Sequence, residues 1–417
     1  MTYPETLDWL FSKLPMYQRF GGANYKIDLA NTHRLMELLE HPEKGLTCIH
    51  VAGTNGKGSV CHMLASIFQS HGYQVGLYTS PHLLDFRERI KINGRPISGG
   101  AVMDFVKTYG TAMEKLQLSF FEMTVGLAFE VFREVKVDIA IIETGMGGRL
   151  DSTNVVTPEM SIITNIGRDH QKFLGDTLPA IAREKAGIIK PGVPVVIGEH
   201  QPEVAHVFRE KAAETGSEIY YSANLWDSNL PYTDLTGAYQ SANLRTALGA
   251  ASLLKDRWEL DDDRIADAVA HVVERTGLMG RWQTVVENPR IILEGAHNAE
   301  GLEVAIASIR ALKADKVIWV FGTVSDKPLE DILPLLPRDI FYVFTQASIP
   351  RALSAEALYA EGLEHGLMGT SAPTVSAAIE YARSMAASSP EENTVIIVGG
   401  SLFVVADALA IFGMRVG

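Results

Sequence analysis

The segment Gly53-Thr54-Asn55-Gly56-Lys57-Gly58-Ser59 constrains this chain more than any other. It follows an apolar run, Leu46 to Val51, that reads as a strand, and it opens a helical stretch, Ser59 to Ser70, that ends near Gly72. Strand, glycine-rich loop and helix form the context in which backbone N–H groups converge on a phosphate. Gly53, Gly56 and Gly58 are expected to let the main chain turn tightly and approach a ligand. Lys57 adds a compact positive charge for the outer phosphates. In the common phosphate loop a hydroxyl residue directly follows the lysine. Here Gly58 intervenes before Ser59, so a magnesium ion would need a hydroxyl from elsewhere.

At 417 residues the chain is long for one domain, and two or three are expected. The net charge of −13 argues against a nucleic-acid or anionic-membrane partner, so an anionic substrate has to be captured by local charge and helix ends. Cys48 and Cys61 flank the loop without metal-site spacing and read as buried thiols in a reducing compartment. The N-terminus carries Glu5 and Asp8 and lacks a basic stretch with an apolar core, which argues against a signal peptide. No uninterrupted apolar run is long enough to span a bilayer. The cytoplasm is the expected compartment.

Strands and helices alternate after the loop. Gln74 to Tyr78, Val137 to Glu143, Met160 to Asn165 and Val193 to Ile197 read as strands, with helices at Ser98 to Leu116 and Phe121 to Val135. Nearly continuous apolar strands separated by helices indicate a parallel sheet covered on both faces, with ligands beyond its carboxyl ends. The segment Ser222 to Thr236 reads as polar and weakly structured; helices follow from Gln240 to Lys255 and from Asp263 to Thr276, the second capped by the run Asp261-Asp262-Asp263. A second alternation begins near Arg290, with strands Ile291 to Leu293, Val317 to Phe321, Phe341 to Thr345 and Val395 to Val398. The expected architecture is α/β: a large P-loop ATPase-like domain over 1–286 with a parallel sheet, and a smaller Rossmann-like α/β C-terminal domain over 290–417, hinged at Glu287 to Pro289.

Candidate chemistry falls at strand ends. Ser80, in Thr79-Ser80-Pro81-His82, offers the hydroxyl that Gly58 withholds, although a turn serine before proline explains it equally well. Glu143 closes an apolar strand before the glycine-rich Thr144 to Asp151, where a carboxylate suits an Mg²⁺ ion and the Gly147-Gly148 pair would let backbone approach a ligand. His170 follows the next strand and is a candidate metal ligand. Lys185, on a helical stretch of mixed charge, reads on its own as a surface or ion-paired lysine. Gly280-Arg281-Trp282 and Glu294-Gly295-Ala296-His297-Asn298 stand around the expected hinge, where a nucleotide could be clamped.

Together these segments resemble the Mur ligase superfamily, in its branch of folylpolyglutamate and dihydrofolate synthases. The resemblance runs from about Leu14 to Gly400. It rests on the phosphate loop, Ser80-Pro81-His82-Leu83, Phe121-Glu122, Glu143 to Asn154, Asp169-His170, Arg183 to Ile188, Gly280-Arg281-Trp282 and Gly295-Ala296-His297-Asn298. It implies that Thr54, Asn55, Gly56, Lys57, Gly58 and Ser59 cradle the ATP phosphates. Asn243, Arg281, Glu294 and His297 would complete the nucleotide site. Ser80, Glu143, His170 and Lys185 would serve two magnesium ions, with Lys185 carrying a CO₂-derived carbamate and Lys57, His170 and Lys185 at the reacting centre. Ser119, Phe120, Phe121 and Glu122, with Leu150, Asp151 and Ser152, would contact the pteroyl acceptor. The family has aspartate where Glu294 stands and proline where Ala299 stands.

The implied reaction is ATP-dependent amide formation through an acyl phosphate, joining L-glutamate to a folate or dihydropteroate carboxylate. Closure of the small domain would keep water from the intermediate. Asp326-Lys327 and Gly399-Gly400-Ser401 fall on the edge where glutamate is expected. A Mur-type ligase acting on another carboxylate is the alternative within the superfamily, and a nucleotide-dependent switch is the alternative outside it. No long apolar helix face demands a protein partner, so the expected partners are small molecules; a monomer is compatible with the sequence, which leaves the oligomeric state open.

Overall fold

The computed structural model describes residues 1–14, 28–226 and 229–414. The chain divides into two compact units, the first Met1–Asp234 with Ser241–Gly277, the second Leu235–Gln240 with Leu278–Val416.

The first unit is built on an eight-stranded sheet. Its strands are β1 (Cys48–Ala52), β2 (Val75–Tyr78), β3 (Ile90–Ile92), β4 (Arg95–Pro96), β5 (Ile139–Glu143), β6 (Met160–Ile163), β7 (Val195–Ile197) and β8 (Ile219–Tyr221). The order is β4-β3-β2-β5-β1-β6-β7-β8. β2, β5, β1, β6, β7 and β8 run parallel, while β3 and β4 add an antiparallel edge. Every residue of β1, β2, β5 and β6 is buried, whereas β8 at the far edge is only half-buried. That is why the inner strands read as unbroken apolar runs: helices cover both faces. The chain leaves β1 toward β2, returns through β5 and crosses to β6. The carboxyl ends of β1, β5 and β6 therefore meet at a reversal of strand order, the place where such sheets bind ligands.

The second unit carries a six-stranded sheet of β9 (Arg281–Glu287), β10 (Arg290–Glu294), β11 (Lys316–Phe321), β12 (Phe341–Phe344), β13 (Met368–Ser371) and β14 (Thr394–Gly399), in the order β13-β12-β11-β14-β10-β9. All neighbours are parallel except β9, which pairs antiparallel with β10. This corrects the boundary expected from sequence. Asn288-Pro289 is a hairpin turn within the second sheet, since Glu287 pairs with Arg290, and the division falls at Gly277/Leu278 instead. An Asn-Pro pair marks a turn whether it joins domains or strands.

Side-chain caps set several helix starts. Ser98 accepts from Ala101 N–H, Thr374 from Ala377 N–H, and Asp261 from Arg264 N–H as its acidic run suggested. The expected helix Asp263 to Thr276 is broken at His271 into Asp262–Ala270 and Val272–Thr276. The polar segment after Ser222 opens with a short helix, Ser222–Leu225; residues 227 and 228 lie outside the described residues. Both cysteines are free and buried, and no helix among the described residues is long and apolar enough to cross a membrane.

Gly76, on β2, lies so close to Phe132 that an added Cβ would sit 2.8 Å from two ring carbons, and that ring is wholly buried. Gly76→Ala is expected to cost about 1–3 kcal/mol through overpacking. Urea unfolding monitored by circular dichroism checks it; an unchanged midpoint contradicts it.

Candidate functional site

The glycine loop is prebuilt by the end of β6. Asn165 accepts from Thr54 N–H through its carbonyl and from Asn55 N–H through its side-chain oxygen, both at 2.9 Å. Thr164 Oγ1 donates to Asn55 O at 2.6 Å, while Thr54 Oγ1 accepts from Gly167 N–H at 2.8 Å. Two glycines are required by this geometry. Gly53 has φ +151° and an added Cβ would lie 1.8 Å from Thr164 Oγ1; Gly56 has φ +84° and its Cβ would lie 2.2 Å from Asn243 Oδ1. Asn243 is thereby placed against the loop. Gly58 differs from expectation: it sits in the first turn of the helix Lys57–Ser70 without a positive φ. What it leaves is space, since its Cβ would be 3.8 Å from Glu143 Oε2.

Lys57 Nζ folds over its own loop, donating to Gly53 O at 3.1 Å and Thr54 O at 3.2 Å. Lys185 Nζ donates to the same Gly53 carbonyl at 2.8 Å. Lys185 is therefore no surface lysine; it is 4% exposed. The helix Leu178–Ala186 positions it, and the Gly147-Gly148 turn clamps that helix's end. Arg149 N–H donates to Glu184 O at 2.7 Å, and a Cβ on Gly148 would meet Lys185 O at 2.8 Å. Asn154 Nδ2 donates to both Arg149 O and Gly187 O at 3.1 Å. The glycine pair thus serves close backbone packing that holds Lys185. Burial, and secondly the charge of Lys57, bring the Lys185 ammonium down to about 7.

Glu143 ends β5 with its carboxylate 4% exposed, and its Oε2 accepts from Ser80 N–H at 2.9 Å. Ser80 thus holds the carboxylate through its backbone, which leaves the hydroxyl for other use. His170 heads the short helix Gln171–Leu174, and Asp169 Oδ1 accepts from its N–H. Among the described residues, no three His, Cys, Asp or Glu side chains form a ready metal cluster. Magnesium keeps several waters and takes one or two carboxylates plus substrate phosphates rather than an all-protein cage. Glu143, facing the space over Gly58, supplies a hard oxygen of the right kind.

The expected acceptor residues divide into two sorts. Ser119 and Glu122 form a capping box: Ser119 Oγ accepts from Glu122 N–H at 3.2 Å, and Glu122 Oε2 from Ser119 N–H at 2.6 Å. Phe120 is buried in the core, whereas Phe121 is half-buried and lies on Gly145, where a Cβ would come within 2.4 Å of its ring. Asp151 is buried and faces inward, accepting from Met146 N–H at 2.8 Å and from Thr153 N–H at 3.1 Å. It caps the 3-10 turn Ser152–Val155, while Leu150 is half-buried and Ser152 buried. Burial raises the Asp151 carboxyl.

In the second unit, Glu294 ends β10 with a 4% exposed carboxylate that accepts from Tyr239 Oη at 2.8 Å, Trp282 N–H at 3.0 Å and Ala296 N–H at 2.9 Å. Its length is thus spent on holding Trp282 and Tyr239. His297 Nδ1 lies 2.9 Å from Gly295 O, and Asn298 caps the helix Ala299–Arg310. Arg281 Nη1 donates to Gly280 O at 3.3 Å. Sequence reasoning missed Tyr239 as a partner of Glu294 and Thr164 as the brace of the loop. A Thr-Asn pair closing an apolar strand was the available signal for the latter.

Comparison with known proteins shows the family. The Mur ligase middle domain matches residues 51–244 and the Mur ligase glutamate ligase domain matches 280–402. The dihydrofolate synthase/folylpolyglutamate synthase of Bacillus subtilis is 34% identical, over 97% of this chain and 98% of its own. The structure of E. coli FolC in complex with DHPP and ADP superposes with a TM-score of 0.84 at 28% identity, over 100% of this chain and 98% of that one. A bifunctional folylpolyglutamate synthase/dihydrofolate synthase with Mn, AMPPNP and L-glutamate bound gives 0.82 at 29% identity, over 99% and 98%.

Two predictions follow from the geometry. Gly56→Ala should abolish nucleotide binding in calorimetry, whereas Gly58→Ala should keep nucleotide affinity and raise the magnesium concentration needed for half-maximal activity; equal behaviour of the two contradicts this. For Lys185, the folded chain holds its proton less tightly than the unfolded chain. Folding stability therefore carries the full penalty below about pH 7 and recovers as pH rises toward the ordinary lysine range. The stability advantage of Lys185→Met over the natural chain should accordingly shrink from about pH 7 to 9, and a pH-independent difference would contradict the assignment.

Proposed function

This chain belongs to the Mur ligase family, in its folylpolyglutamate and dihydrofolate synthase branch, and from that premise we propose how its residues divide the work. It is an ATP-dependent ligase of that type, adding glutamate to folates, dihydropteroate or both. The observation that carries the reading is the convergence on Gly53: a left-handed loop, two lysines on one carbonyl, and a buried carboxylate facing the start of the same helix.

The loop amides from Thr54 to Ser59 bind the phosphates, and Lys57 turns from its own carbonyls to the outer phosphoryl group as ATP enters. Asn243 sits at the loop's apex for the nucleotide. Within the second unit, Glu294 holds Trp282, the neighbour of Arg281, in place. Ser80, Glu143 and His170 would hold magnesium, which would supply charge compensation for the transferring phosphoryl group. Phe121, with Leu150 and Ser152, meets the pteroyl acceptor; Ser119, Phe120, Glu122 and Asp151 keep those segments in shape. The acceptor carboxylate takes the γ-phosphoryl group, the neutral amine of glutamate attacks the resulting carbonyl, and phosphate leaves. Positioning and charge compensation supply most of the acceleration.

Lys185 is the third part of the proposal. An amine brought down to about 7 is substantially neutral at physiological pH, and only the neutral amine attacks CO₂. The new N–C bond forms with loss of a proton and turns a cation into an anion suited to a second magnesium ion. Protein equilibrated with ¹³C-bicarbonate should give a carbamate carbon signal that Lys185→Met lacks. An unmodified Lys185 in a fully active enzyme removes the claim.

The decisive assay is phosphate release with glutamate and either dihydropteroate or tetrahydrofolate. Release with at least one supports the reading; release that requires a sugar-nucleotide acceptor overturns it.

A further inference from the structure

His50 lies in the middle of β1, three residues before Gly53, and is fully buried. Its Nε2 is 2.8 Å from Thr153 Oγ1, and Thr153 Oγ1 donates in turn to Asp151 Oδ1 at 2.5 Å. The other oxygen of Asp151 accepts from Met146 N–H. A hydroxyl has one hydrogen. If Thr153 gives it to the carboxylate, the contact with His50 has to be made by an Nε2–H donating to a lone pair. The tautomer of His50 is thereby fixed, and its Nδ1 is left buried with no partner among the described residues. Burial brings the imidazole down to about 3, so the ring donates as a neutral group.

The relay joins two segments that have to be in register for the reaction. β1 feeds the phosphate loop directly, and the loop from Met146 to Ser152 is folded around the Asp151 carboxylate, while the Asp151 backbone N–H donates to Gly148 O at 3.1 Å. Among the described residues no backbone hydrogen bond joins His50 to residues 146–152, so its own link to that loop is made by side chains, while Thr144 N–H donates to Val51 O where the chain leaves β5. We propose that His50, acting through Thr153 and Asp151, is a positioning residue that sets the acceptor loop against the strand carrying the nucleotide loop. This rests on the reading of Leu150 and Ser152 as acceptor contacts. His50 touches neither substrate; its effect passes through the shape of the loop.

The test is steady-state kinetics on His50→Leu and Thr153→Val, which remove the relay, with His50→Gln and Thr153→Ser, which keep a donor or a hydroxyl. The first pair should raise KM for the pteroyl acceptor about tenfold or more, with KM for ATP and for glutamate within about twofold, and the second pair should recover most of the loss. A folded Leu or Val variant with unchanged acceptor KM overturns the proposal, and so does an equal rise in all three constants. Should His50→Leu fail to fold, the Thr153 pair decides alone. A readout independent of turnover is the ¹⁵N spectrum of the histidine rings. His50 should carry its proton on Nε2, with a shift that moves in Thr153→Val; a proton on Nδ1 overturns the relay. If the natural enzyme released no phosphate with any pteroyl acceptor, the functional reading would fail, and the ¹⁵N result would still judge the relay.

Discussion

Gly53 concentrates the physics of the site. Its backbone conformation excludes a side chain, its missing Cβ makes room for Thr164, and its carbonyl is where the ammonium groups of Lys57 and Lys185 meet. Two like charges drawn to one acceptor, one of them buried, make the Lys185 cation costly there. Relief comes when one of them loses its charge or finds an anion. Burial first, and the Lys57 charge second, account for the lowered Lys185, and Lys57 remains the cation for a phosphate. A loop that is strained in charge before substrate arrives is prepared for a polyphosphate.

The rest of the first unit serves to hold this arrangement. The reversal of strand order brings the ends of β1, β5 and β6 together, and short polar links then fix the loops that leave them. Asn165 and Thr164 brace the phosphate loop, Ser80 holds Glu143, and Asn154 ties the glycine pair to the helix of Lys185. Each link satisfies a backbone group that is at least partly withdrawn from water. Stability and preorganisation therefore come from the same bonds. In the second unit Glu294 does the corresponding work, gathering Tyr239, Trp282 and Ala296 at the end of β10.

Legibility in the sequence followed the physical range of each signal. Local and periodic features were readable. β1, β2, β5 and β14 stood out as apolar runs because both faces are covered, and the loop with its lysine announced itself by spacing alone. Features made by distant residues were not. β9 was missed because its half-buried alternation is weak and its turn looks like a linker. Gly58 was read as a turn residue, although its meaning lies in the carboxylate that faces it from β5. Lys185 looked like a surface lysine because neighbouring Arg183 and Glu184 are charged; only the fold shows that its side chain runs inward to Gly53. Ser119 and Glu122 sit in a resemblance segment, yet their spacing is that of a capping box, which the sequence alone could have shown.

The central claim is that this site makes ATP activate a carboxylate before an amine captures it. Acceptor labelled with ¹⁸O in the carboxylate, turned over with ATP and glutamate, tests that most directly. The account predicts one ¹⁸O atom in each phosphate released, because the bond that leaves is the one between the acyl carbon and the labelled oxygen. Unlabelled phosphate, with amide formed at the normal rate, would contradict it.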